Sequence, residues 1–445
     1  MKRISALLLI ADLGIAGLSA QGGSDGSPYS SYGLGDMLPT GQAVQAMMGG
    51  TGLALPEPYS VIPGNPASYP FLHRPAFEVG VRMNAVRSSS SEASSSHRNA
   101  RFMGFSIGVP FGAGKWGLAL GLAPESDVGY SLGRDAQVDG QPVKYRYQGD
   151  GGLNRAFLGL GRSLYRQRPD SLGNAGLSVT FGADFNFVFG SLDQTRDAIY
   201  SRDAGYSNIR AFSGLILRAP SADASLIWQG DLTRKKFRDG DNWRWTVGLA
   251  AGMPTVLMAR YHQLVVSYVE ASGLETIRDT VALSDGEGRM KLAPGVGIGL
   301  GVQNRHWGLN AEMRWRDWGG IQVDVPGYAM PAPMRAAASY AVAARYRPGM
   351  EGGAFNRSVY RVGLSYRQAP QLVFGQGLDG TALSAGISIP VNAVQTNSWV
   401  QVGGEYALRG TTGNGLLRER QIALWLGLTF TPWRGERWFT PSKIQ

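Results

Sequence analysis

No cysteine occurs in the 445 residues, so the chain carries no disulfide framework, no thiolate metal site and no lipid-modified cysteine. Histidine is almost as scarce. His73, His97, His262 and His306 are scattered, and no G-x-S-x-G elbow lies near any of them. Paired-His and Asp-rich calcium-loop motifs are missing too. Neither catalysis nor a metal or other cofactor is expected. Charged residues make up only 17%, and although the formal net charge is +10 there is no basic run of the kind that binds nucleic acid. Arginines spread along the chain suit a wet lumen and a phosphate-rich lipid surface better. Beyond the first residues no apolar run approaches 18 residues, which excludes helical membrane spans.

What is present begins with an export signal. Lys2 and Arg3 precede a mostly apolar run from Ile4 to Ala16, and small residues follow to Ser19 and Ala20. This is the layout of a secretory signal peptide over 1–20, and Asp12 argues against a membrane anchor.

Further on, one pattern recurs. In HWGLNAEMRWRDW, residues 306–318, Trp307, Leu309, Ala311, Met313 and Trp315 alternate with Gly308, Asn310, Glu312, Arg314 and Arg316. Steps of two residues scatter around a helix but gather on one side of a strand. GLSVTFGADFNFVFG sends Val179, Phe181, Phe185, Phe187 and Phe189 one way, with Thr180, Asp184 and Asn186 the other. RSVYRVGLSYR puts Tyr360, Val362, Leu364 and Tyr366 opposite Arg357, Arg361, Ser365 and Arg367. A dry soluble core does not accept a face of three arginines, whereas a barrel with lipid outside and water or a plug inside does.

Alternation and turn residues give strands at about 76–87, 100–111, 115–132, 153–165, 175–190, 222–236, 242–262, 291–304, 306–318, 335–347, 356–367, 380–391, 396–409 and 419–431. That is fourteen, an even number that closes an antiparallel barrel with both ends on one rim. Two extra strands within 205–218 would make sixteen. Short links such as GAGK and NR, against long ones at 88–99, 191–221 and 263–290, suggest short turns on the periplasmic rim and long loops outside. In strand three Pro124 has no N–H to give, so a bulge or local break is expected there. Residues 27–72 show no period of two and are rich in glycine and proline yet apolar. They are expected to fill the lumen. The domain plan is thus a signal peptide at 1–20, an N-terminal segment and plug at 21–73, a barrel at 74–431 and a periplasmic tail at 432–445.

AMMGGTGLAL followed by NPASY resembles the N-terminal hatch of the FadL-like family, the outer-membrane transporters of long-chain fatty acids and aromatic hydrocarbons. SPYSSYGLGD, DTV and RWFTPSK look like a Bacteroidota-type branch of such barrels. The resemblance spans nearly the whole chain beyond the signal and implies an all-β transmembrane barrel of about fourteen strands with a plug. It carries the hatch motif onto Asn65, Pro66 and Ala67 and its glycine stretch onto Gly49, Gly50 and Gly52. Their implied role is to hold the plug backbone close to the wall. FadL-like transporters also open a lateral window at a kink in strand three, and Pro124 falls where this chain could form one.

The inward charges Glu78, Arg82, Asp184, Glu312, Arg314, Arg357, Arg361 and Glu405 are expected to neutralise one another and fix the plug rather than line an anion path. The function expected is passive, plug-gated passage of small hydrophobic molecules through the cell outer membrane. The alternative is an accessory barrel of an outer-membrane export or assembly complex. Expected partners are outer-membrane lipid and lipopolysaccharide, a hydrophobic small molecule, the assembly machinery and other outer-membrane proteins, but no nucleic acid.

Overall fold

The computed structural model describes residues 26–39, 41–172, 174–201, 205–234, 241–271, 274–349, 351–391 and 398–431. The expected signal peptide and C-terminal tail lie outside the described residues.

The strands are β1 (Asp36–Met37), β2 (Ala76–Ser89), β3 (Ser94–Phe111), β4 (Trp116–Pro124), β5 (Ser126–Val138), β6 (Gln141–Arg166), β7 (Ser178–Tyr200) and β8 (Asn208–Asp231). Next come β9 (Arg244–Gly252), β10 (Thr255–Ala271), β11 (Leu274–Leu292), β12 (Gly295–Gln303), β13 (Trp307–Asp317), β14 (Gln322–Asp324) and β15 (Ala336–Tyr346). The last are β16 (Val359–Arg367), β17 (Leu372–Val373), β18 (Gln376–Gly377), β19 (Gly380–Pro390), β20 (Trp399–Arg409) and β21 (Arg418–Phe430).

Antiparallel pairing runs β2-β3-β4-β6-β7-β8-β9-β12-β13-β15-β16-β19-β20-β21 and back to β2. The ring therefore closes with the expected fourteen strands, and closure removes the free edges that lipid would not tolerate. The segment that could have added two strands is the first half of β8, paired with β10.

Burial alternates as the sequence pattern requires. On β16, Tyr360, Val362, Leu364 and Tyr366 are exposed, while Arg361 and Ser365 are buried. On β13, Trp307, Leu309 and Trp315 face outward, and Asn310 and Glu312 are buried. The two tryptophans therefore belong to the face a membrane would cover. Arg357 departs from the pattern and ends a one-turn helix, Ala354–Arg357, ahead of β16.

The loop expectation is overturned. Most of the polar stretches expected as long loops are strand: 94–99 belong to β3, 191–200 to β7 and 208–221 to β8, and β10 and β11 form a long hairpin over most of 263–290; β5 and β10 carry the ladders along β6 and β8 on past β4 and β9. Ladders are held by backbone hydrogen bonds, so they persist beyond the bilayer. The alternation that reveals them does not, because both faces there meet water. We call the rim that carries Ala76 and Phe430 the near rim, and the opposite one the far rim.

Candidate functional site

The described N-terminal segment is buried almost throughout, and its contacts run to the inward faces of strands all round the ring. Glu312 of β13 accepts hydrogen bonds from Gly52 N (2.7 Å) and Leu53 N (2.8 Å) and from Arg314 Nε (2.6 Å). Glu78 of β2 accepts from Val61 N (2.7 Å), and Ser225 of β8 from Ala67 N (2.8 Å). Tyr69 Oη donates to Asp184 of β7 at 3.0 Å. Burial, then the charge of Asp184, push that hydroxyl well above its ordinary range, so it remains a donor. Toward the far rim Arg409 of β20 bridges Asp36 and Glu419. Arg82 and Arg367 share Glu405 at 3.0 and 3.2 Å. The inward charges are thus paired with each other or bonded to the segment, as a low-dielectric lumen demands.

The motif residues take distinct places. Gly49 has a positive φ of 68° and gives its N–H to Ser384 Oγ of β19 at 3.0 Å. Gly50, at φ 91°, bonds back to Gln45 O at 2.8 Å. Gly52 and Ala67 meet the wall directly. Asn65 instead ties the segment to itself: its Nδ2 donates to Gly52 O (2.8 Å) and Leu53 O (3.3 Å). Pro66 opens the 3-10 turn Pro66–Phe71. Sequence reasoning missed the wall's own part in this. A Cβ added at Gly182 of β7 would overlap the Pro66 carbonyl, and one at Gly363 of β16 would overlap the Met48 and Gly49 backbone. Such inward glycines let two backbones touch.

Pro124 ends β4, opposite Asn154 of β6. Glu125 N donates to Leu153 O of β6 (2.8 Å), so position 124 turns the other way, toward β3. There the ladder breaks. β3 pairs with β4 only from Phe105 to Phe111, and among the described residues Ser94–Phe102 pair only with β2. The departure point is Gly104, also missed from sequence; it sits at a register shift with φ 93°. On the other side of the break, β5 takes Asp36 and Met37 of β1 as partners for Asp127 and Ser126. An Arg101–Asp127 ion pair spans the gap. Behind it the interior is apolar: Leu34, Val128, Tyr130, Leu153, Leu192 and Leu215 belong to one buried cluster. A cavity of about 100 Å³ borders this cluster, lined by Val128, Leu215, Tyr261 and Tyr328 together with the polar Ser30, Gln194, Arg196 and Ser213. Burial and the neighbouring Tyr261 raise the Tyr328 hydroxyl to about 12.

A closed barrel of fourteen antiparallel strands, apolar outside and charged within, is an outer-membrane type of protein. Solved structures of similar fold include the Ralstonia pickettii toluene transporter TbuX, 15% identical, with a TM-score of 0.55 over 88% of this chain and 99% of that one. A Pseudomonas aeruginosa FadL homologue is 13% identical, with a TM-score of 0.54 over 89% of this chain and 99% of that one. The Pseudomonas putida toluene transporter TodX is 16% identical, with a TM-score of 0.51 over 89% and 98%. The shared property is the fold, and these neighbours are transport proteins, not enzymes. No curated protein matches in sequence. A family model described as BamG matches residues 1–445, and the chain belongs to that family.

Proposed function

We propose that this chain is an outer-membrane channel that passes small hydrophobic molecules, long-chain fatty acids or aromatic hydrocarbons, by passive diffusion gated by its N-terminal plug. The observation that carries this is the β3–β5 break with an apolar interior directly behind it. A molecule dissolved in the outer leaflet reaches that interior without crossing water. The Gly49 to Ala67 motif then holds the plug against the wall while β1, at the break, is the part that moves. Outer-leaflet lipid and lipopolysaccharide surround the opening, and the SPYSSYGLGD motif supports a Bacteroidota-type branch.

BamG family membership favours a second function, an accessory barrel within outer-membrane assembly machinery. The two separate in one pair of measurements. Vesicles holding the purified protein should take up a hydrophobic fluorophore, and Pro124→Val, which restores an N–H toward β3, should slow uptake several-fold while the barrel still folds. Uptake no faster than in empty vesicles, together with stoichiometric recovery of other barrel proteins when the tagged chain is purified from native membranes, would replace the channel by the accessory role.

A further inference from the structure

The near rim holds a second cavity, about 110 Å³, lined by residues distinct from those at the break. Arg345 from the end of β15, Arg347 just past it, Arg361 of β16 and Arg305 of the β12–β13 turn all border it, beside Tyr59 and Trp399. Glu57 is the one carboxylate among its lining residues. Arg345 Nη1 donates to one oxygen of Glu57 and Arg361 Nη2 to the other, each at 3.3 Å. Burial works against that carboxylate's charge, but the Arg361 and Arg345 guanidiniums hold its pKa below the ordinary value. Four guanidiniums therefore border a cavity with one carboxylate in its lining, and although Glu78 also acts on Arg361 from nearby, positive charge is in excess around a small volume.

Several buried donors here have no protein partner among the described residues. Arg361 is 6% exposed and its Nε is unbonded; Trp399 is 7% exposed and its Nε1 is unbonded. Arg347 Nε is buried and unbonded as well, with the guanidinium 5.8 Å from the Trp399 ring centroid. Buried N–H groups are rarely left without an acceptor, because each one left so loses its hydration without replacement. Three such donors on residues that line one cavity ask for an anion with several acceptor oxygens.

We propose that this cavity binds a phosphate group. Guanidinium forks match phosphate oxygens, and the excess of positive charge suits a dianion better than a second carboxylate. Arg305 lies exposed at the mouth, and the next residue but one, Trp307, packs on Tyr346 at 4.4 Å on the outward face. Such aromatic pairs sit at lipid headgroup level. The phosphate thus comes either free from the periplasm or on a lipid headgroup.

The test is calorimetric titration of the full-length protein in a phosphate-free maltoside micelle. One arm uses inorganic phosphate, the other dihexanoyl phosphatidic acid below its micellar concentration. Saturable binding is expected in at least one arm. Equal affinity identifies free phosphate as sufficient; markedly tighter phosphatidic acid identifies the headgroup. Arg347→Gln should weaken binding at least tenfold and Trp399→Phe, which removes the indole N–H but keeps an aromatic ring at that position, several-fold. Arg234→Gln, on the same rim but outside the cavity, should leave it unchanged. Each variant is first checked for the heat-modifiable mobility of a folded barrel. No saturable binding in either arm by the folded wild type overturns the proposal, as does undiminished binding by folded Arg347→Gln and Trp399→Phe.

Discussion

Two walls of the barrel differ by more than a factor of two in strand length. β6, β7 and β8 have 26, 23 and 24 residues, whereas β16, β19 and β20 have 9, 11 and 11. A tilted strand needs about 9–11 residues to cross a bilayer. The short wall therefore ends where the membrane ends, and the tall wall continues past the far rim. Both are held by the same ladder, so what separates them is solvent. In the short wall outward side chains such as Leu364, Leu383, Val402 and Leu408 are apolar, as a lipid exterior requires. In the tall wall's extension, residues such as Leu274, Ile277, Val281 and Leu283 of β11 are 60% exposed or more, with charged neighbours at Glu275, Arg278 and Asp279.

The largest expected effect contrasts the two environments at chemically similar sites. Leu426→Arg and Phe181→Arg, on outward faces within the ring, should each destabilise the barrel by about 2–4 kcal/mol if they lie near the bilayer midplane. Urea titration of folding in lipid vesicles measures this, and a change below 1 kcal/mol at both sites would remove the lipid from that face. An intermediate effect is expected from the lumen. Glu312→Gln weakens the charged acceptor for Gly52 N and Leu53 N, and hydrogen bonds to charged groups contribute roughly 1.5–3 kcal/mol. The variant should still migrate as a folded barrel, but the N-terminal segment should become sensitive to protease at a lower urea concentration. Unaltered protection would mean the segment is held by its other contacts alone. The smallest effect belongs to the tall wall: Leu283→Arg should shift stability by no more than about 0.5 kcal/mol. A loss as large as that at Leu426 would put the β10–β11 hairpin in an apolar environment, either lipid or a partner protein.

The same contrast explains what could be read in the sequence. Fourteen strands were legible because lipid on one side and charge on the other impose a period of two, as Phe181 and Thr180 show. The extensions were not, since water on both faces lets SSSHRN and LETIRD form ladders without a pattern. Pro124 was visible because proline lacks a donor, whereas its counterpart Gly104 was hidden among 63 glycines. Gly182 and Gly363 were hidden in the same way: apolar periodicity does not register a residue valued for having no side chain. The cluster of Glu57 with Arg345, Arg347 and Arg361 joins the lumen segment to strands some 300 positions away, Arg361 and Glu57 being 304 apart. No local signal encodes that meeting.

The hydrogen bond from Ser27 Oγ to Glu419 Oε1, 2.6 Å long, joins residues 392 positions apart. With Arg409 holding Asp36, it ties the earliest described part of the chain to strands that leave the ribosome last. β2 and β21 form the closing seam, and Ser27 bonds on the inner side of it. A segment wider than the gap between neighbouring strands cannot be threaded through a finished wall. The segment enters either through the near-rim opening or before β21 meets β2, and in both cases its Ser27 and Asp36 anchors form no earlier than β20 and β21. Loop-closure entropy makes such distant contacts slow to form unaided. The far-rim anchors of the segment are therefore among the last contacts this chain completes.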